Sequence, residues 1–93
     1  MFSQRFGKQV FITEHAIDRM NERNISNKDV LNALENGKIK CKDKTKFWVY
    51  HNFINRVDNL VCLAVVDEGV LVIKTVMINW QLRGQDNENK ILQ

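Results

Sequence analysis

The chain has no proline, no internal repeat and no low-complexity stretch. Nothing in it therefore reads as a linker, and 93 residues make one domain. The expected domain is residues 1–80, followed by a polar tail at 81–93. No apolar run approaches the ~20 residues that a membrane helix needs. The opening segment MFSQRFGKQVF lacks the apolar core and small-residue cleavage site of a signal peptide. The expectation is a cytoplasmic protein with no membrane partner. Cysteine is scarce: Cys41 and Cys62 form no C-x-x-C and have no metal-spaced histidine nearby. They read as two small, reduced strand residues, with a metal site shared with His15 or His51 as the alternative. No metal and no cofactor is expected.

Acidic residues are in deficit, 11 against 14 lysines and arginines, giving a net charge of +3 and a pI near 9.0. That permits nucleic-acid binding without demanding it. The distribution says more. KIKCKDKTK, residues 38–46, holds five lysines and one acid. Alternating lysines protect an exposed edge strand from aggregation. They also suit a nucleic-acid contact through Lys40, Lys42 and Lys44, and the two readings are compatible.

The first six residues read as loose, and residues 8–12 as a short strand or extended lead-in. Thr13 suits an N-cap, because its hydroxyl can accept from an amide of the first turn. Ile12 and Ile17 are spaced as a hydrophobic staple. A helix is predicted over 14–23, with Ala16, Ile17 and Met20 as its apolar stripe. Asn24 and Ile25 form a tight link. Ser26 starts a second helix with a near capping box to Asp29, and Gly37 ends it as a residue tolerant of the left-handed conformation. The second helix carries too much acid to enter a groove lined with phosphates.

From residue 38 the period becomes strand-like. Strands are predicted over 38–42, 46–52, 60–66 and 70–79. Phe47, Val49 and His51 share one face of the second, and Trp48 and Tyr50 the other. LVCLAVV, residues 60–66, reads as a central strand. Read as a plain alternation, Lys74 shares a face with Val72 and Val76, and Thr75 with Ile73 and Met77. The implied fold class is α+β: two N-terminal helices packed on one face of a four-stranded antiparallel sheet. The apolar content of the last two strands exceeds what one covered face needs, which makes the second face a binding surface or a homodimer contact.

HAIDRMNER, residues 15–23, places His15, Arg19 and Arg23 at four-residue intervals, stacked on one side of a helix. The two arginines are like charges at a mildly repulsive separation of about 0.2–0.5 kcal/mol, tolerated by solvation or relieved by a bound anion. An imidazole titrates near neutrality, as general acid–base chemistry requires. Arginines grip phosphate and stabilise charge developing on it. With the 2′-hydroxyl of RNA as nucleophile, these groups supply a proton carrier and positive charge for phosphodiester cleavage without a metal. Glu14, Tyr50 and His51 remain open as the second proton carrier. Lys74 and Thr75 interrupt an apolar strand, and one of them is expected to line a site. Phe47, Trp48, Tyr50 and Trp80 suit either base stacking or ordinary packing.

The blocks H-A-x-x-R-M-x-x-R-x-I (15–25), S-x-x-D-V (26–30), A-L-E-N-G (33–37) and V-I-K-T-V (72–76) resemble a small bacterial family, the domain-of-unknown-function family 4258. The resemblance covers roughly residues 10 to 80. That family is similar to the RelE- and BrnT-type toxins of toxin–antitoxin systems, compact α+β ribonucleases. The resemblance implies a RelE/BrnT-like, metal-independent endoribonuclease acting on RNA and paired with a cognate antitoxin. It carries catalytic roles onto His15, Arg19, Arg23 and Thr75. The alternative is a non-catalytic protein- or nucleic-acid-binding module of phage or plasmid origin.

Overall fold

The computed structural model describes residues 1–53 and 60–78. Its elements are β1 (Phe2–Ser3), β2 (Lys8–Ile12), α1 (Glu14–Arg23), α2 (Asn27–Asn36), β3 (Lys38–Cys41), β4 (Lys46–Asn52), β5 (Leu60–Asp67) and β6 (Leu71–Ile78). The expected tail at 81–93, Trp80, and most of the loop after Phe53 lie outside the described residues. Among the described residues no helix is long and apolar enough to cross a membrane.

Local chemistry starts both helices. Thr13 is extended, and its hydroxyl accepts from the Ala16 amide. Ser26 accepts from the Asp29 amide while the Asp29 carboxylate accepts from the Ser26 amide, closing a capping box. Helix α1 stops at Asn24, whose φ of 56° is left-handed, a conformation asparagine tolerates. Gly37 ends α2 for a different reason from the one expected. Its backbone is extended, at φ −78° and ψ 171°, so the position needs room rather than left-handed freedom. Ile17 also departs from expectation and is 42% exposed. Ala16 and Met20 centre the buried stripe of α1. At 3.6 residues per turn, Ile17 lies about 80° from that centre and Arg23 about 40° on the other side. The arginine stem, not the isoleucine, is therefore drawn towards the core.

The sheet corrects the expectation of four antiparallel strands. It has six strands in the order β1-β2-β6-β5-β4-β3. Strand β2 runs parallel to β6, with Val10, Phe11 and Ile12 opposite Leu71, Val72 and Ile73, and β1 pairs antiparallel with β2. The class remains α+β, but the sheet is mixed. The physical reason is edge satisfaction. Without β2 the apolar strand β6 would present an open row of amides and carbonyls. The N-terminal segment covers part of that edge and is anchored there. Ser3, in the segment expected to be loose, is fully buried. Its hydroxyl donates to Glu35 of α2. Arg5 Nη1 donates to the carbonyls of Leu34 (3.0 Å) and Gly37 (2.7 Å), capping the negative end of α2. Lys8 and Asp67 form an ion pair at 2.6 Å. The Lys8 hydrogen bond, then the Gly69 amide, holds the Asp67 carboxyl below its usual range.

The helices cover one face of the sheet, and among the described residues no helix lies on the other, the uncovered face. On the covered face Val49, Val61, Leu63, Val65, Leu71, Ile73 and Val76 are buried with Ala16 and Met20 of α1 and Val30, Ala33 and Leu34 of α2. Helix α1 packs on β6, and α2 on β4 and β5. On the other face Cys62 is buried among Trp48, Tyr50, Leu60 and Met77. Cys41 pairs with Phe47, and Cys62 with Tyr50. Paired residues share a face, so the two cysteines point to opposite sides of the sheet and cannot share a metal. Burial pushes the Cys62 thiol pKa up, consistent with an inert core residue.

Strand β6 is irregular. Ala64 pairs with Thr75 but Val65 pairs with Ile73, so Lys74 is an extra residue in a bulge. This overturns the face assignment from plain alternation. Leu71, Ile73 and Val76 are all buried against the helices. Thr75 sits opposite Ala64 and joins Met77 and Cys62 on the other face.

Candidate functional site

Two features bear on function: the junction of α1 with the β6 bulge, and the uncovered face beside it. The junction is fixed by Thr13. Its amide donates to the Ile73 carbonyl at 3.2 Å. Its hydroxyl donates to the carbonyls of Ile73 (3.1 Å) and Lys74 (3.3 Å). One residue thus caps α1 and straps it to the bulge. His15 lies two residues after this strap, on the side of the sheet that α1 covers, whereas the side chain of Thr75, one residue after Lys74, is on the opposite face with Ala64. Thr13→Val keeps the β-branched shape and removes the hydroxyl. It is expected to cost about 1–2 kcal/mol, the worth of an N-cap and a net hydrogen bond. Thr13→Ser should cost less. Urea unfolding midpoints of the three proteins check this.

His15 is exposed, and Arg19 and Arg23 are half-buried. The repulsion anticipated between the arginines is relieved within the helix. Glu22 Oε1 accepts from Arg19 Nη1 at 2.7 Å and lies 3.7 Å from Arg23 Nη1. Arg19 Nε remains shielded from solvent with no hydrogen-bond partner. A shielded donor of this kind costs free energy until an acceptor reaches it.

The uncovered face gathers lysines. Lys38 and Lys40 lie opposite Tyr50 and Trp48, and Lys46 opposite Val66. A cavity of about 240 Å³ opens there, lined by Lys42, Lys46, Trp48, Ala64, Val66 and Lys74 among others. Lys42 Nζ is 5.9 Å from the centroid of the Trp48 ring. The structure therefore brings Lys42 and Lys74 together and sets Lys40 on the same face. Lys44 stays in the exposed turn between β3 and β4. Lys46 and Arg5 are the residues that sequence reasoning missed. Lys46 was detectable, because alternation puts residues 46, 48 and 50 on one face. Arg5 carried no local signal. Of the candidate second proton carriers, Glu14 shares the first turn of α1 with His15. His51 pairs with Val61 on the covered face and meets Phe53 edge-on at 5.1 Å. Tyr50 is on the uncovered face.

The family described as Domain of unknown function (DUF4258) matches residues 12–78. The chain belongs to this family. The match begins one residue before the Thr13 strap and ends with β6, so it takes in both helices, β3 to β6 and the bulge, and leaves out β1 and most of β2. The DUF4258 unit thus contains the junction and the lysine-rich face in full. Comparison with curated proteins and with solved structures gives no match.

Proposed function

We propose that this DUF4258 chain is a metal-independent endoribonuclease of RelE/BrnT-like toxin type, held in check by an antitoxin. The observation that carries the reading is the Thr13 strap. It fixes a helix bearing a histidine and two arginines at one row to a strand bulge bearing Lys74 and Thr75. In the proposed step His15 accepts the proton of a 2′-hydroxyl as that oxygen attacks the adjacent phosphorus. A 2′,3′-cyclic phosphate forms, the bond to the 5′-oxygen breaks, and that oxygen leaves with a proton from a second carrier. Arg19 and Arg23 turn from Glu22 to the non-bridging oxygens, where they stabilise the charge that builds in the transition state. Arg19 Nε then gains the acceptor it lacks.

The test expresses the parent chain beside His15→Ala and Arg19→Ala and follows RNA cleavage and growth. Loss of a proton carrier lowers the rate about 10²–10⁴-fold, and loss of a charge donor about 10²–10³-fold. Equal cleavage in all three proteins, or none in any under inducing conditions, removes the enzyme reading. The second reading is a non-catalytic module. It is favoured by one observation: Glu22 already engages both arginines. It expects RNA binding without cleavage and little change between pH 6 and 8.

A further inference from the structure

We infer that the uncovered face of the sheet is a platform for single-stranded RNA, with one base stacked on Trp48 and phosphates held by Lys42, Lys46 and Lys74. This goes beyond the cleavage site and rests on the reading of the chain as RNA-binding. Three observations favour that occupant. First, the cavity is lined by the Trp48 ring with Ala64 and Val66 and by three lysines, and no acidic residue among the described residues lines it. Its complement is a ligand that is flat and apolar at one point and anionic around it. A nucleotide has that form. An acidic peptide would match the lysines and bring no flat group to the ring.

Second, the size fits. About 240 Å³ is the volume share of about eight waters, the scale of a nucleoside and not of a folded partner's side-chain cluster. Third, the register extends the pattern. Trp48 and Tyr50 are two residues apart on the same face, about 6.6 Å along the strand. Lys40 and Lys38 stand opposite them on the neighbouring strand. Ammonium groups spaced along a strand in this way suit successive phosphates. Duplex RNA buries its bases in the stack and offers them to no such ring. Lys74 joins the platform to the junction. Its side chain lines the cavity while its carbonyl accepts from Thr13 at 3.3 Å.

The chain has two tryptophans, so in a Trp80→Phe background Trp48 fluorescence reports this face alone. The probe is a 2′-O-methyl oligouridylate ten-mer, which lacks the attacking hydroxyl and cannot be cleaved. It is expected to quench Trp48, whereas a duplex of the same length and a ten-residue polyglutamate are not. Lys42→Gln with Lys46→Gln should lower the slope of log affinity against log salt by about 1.4, at about 0.7 per contact. Trp48→Ala should weaken binding about 5- to 150-fold. Melting curves of the exposed lysine variants establish that they fold. Unchanged affinity and salt slope in the double lysine variant would overturn the inference. So would quenching by polyglutamate and not by RNA, which marks a protein-docking face. Cleavage of unmodified RNA is followed in parallel. Cleavage without quenching removes the platform and leaves the ribonuclease, and quenching without cleavage does the reverse.

Discussion

Gly37→Ala is expected to lower the melting temperature by about 12–24 °C. A Cβ at residue 37 would stand 2.5 Å from the Ala33 carbonyl oxygen, 2.7 Å from the Tyr50 carbonyl oxygen and 2.9 Å from Val49 Cγ1. None of the three can yield alone. The Ala33 oxygen accepts the Gly37 amide at 2.7 Å and terminates α2. Tyr50 lies opposite Lys38 in the β3–β4 ladder. Val49 is fully buried in the core. The end of α2 would have to lift off β4, and Arg5 would lose the Gly37 carbonyl that it holds at 2.7 Å. Overpacking at such a site costs about 3 kcal/mol. In a domain of this size each kcal/mol moves the midpoint by about 4–8 °C. The extended φ of Gly37 is open to alanine, so the whole loss is steric. Gly69→Ala is the contrasting case, because its Cβ meets nothing within 4 Å and its φ of 90° is the only obstacle. Thermal unfolding followed by circular dichroism compares them. An unchanged midpoint for Gly37→Ala would mean that α2 slides freely over β4.

The parts of the fold that were legible are those set by neighbours in sequence. Thr13, and Ser26 with Asp29, gave both helix starts because capping is a bond across three residues. FWVYH gave β4 and its faces because alternation needs no distant partner. Parallel pairing of β2 with β6 joins residues about sixty apart, as Val10 with Leu71 does, and five residues are too few for periodicity to speak. Gly37 was read through its conformational freedom, although the constraint there is the approach of β4 and so invisible along the chain. The site divides in the same way. The row His15, Arg19, Arg23 was plain from four-residue spacing, and so in principle was Glu22, three residues from one arginine and adjacent to the other. What the sequence also held, in the doublet Lys74-Thr75, was a bulge. Two consecutive polar residues in an apolar strand break the alternation that carries its faces, and reading straight through them put Val76 on the wrong side.

Deleting Lys74 should preserve the fold and lower cleavage about 10²-fold. Without that residue β6 reads Leu71, Val72, Ile73, Thr75, Val76, Met77, Ile78. This alternates without interruption and keeps Leu71, Ile73 and Val76 on the covered face and Val72, Thr75 and Met77 on the other. The pairs Val65–Ile73 and Ala64–Thr75 become consecutive rungs of a regular ladder, and no core side chain changes face. The Thr13 hydroxyl keeps its bond to the Ile73 carbonyl and loses only the Lys74 carbonyl. The expected stability change is therefore within about 1 kcal/mol, the net worth of one hydrogen bond. Function should respond far more strongly. A bulge bends and twists its strand, and here the bend lies where α1 is strapped. Straightening it moves the start of α1, and with it His15 and the arginines, relative to the rest of the sheet. A displacement of about 1 Å in reacting groups costs about 10²-fold in rate. Lys74→Ala is the necessary comparison, since it removes the ammonium and keeps the extra residue. It should weaken RNA binding through one lost phosphate contact, lowering the salt slope by about 0.7, and retain most of the cleavage. The deletion should lower both. Circular dichroism and melting separate folding from function, and single-turnover cleavage separates binding from chemistry. Equal cleavage rates in the deletion and in Lys74→Ala would mean that only the charge of Lys74 matters. The extra residue would then serve the curvature of the sheet, not the placement of α1 on it.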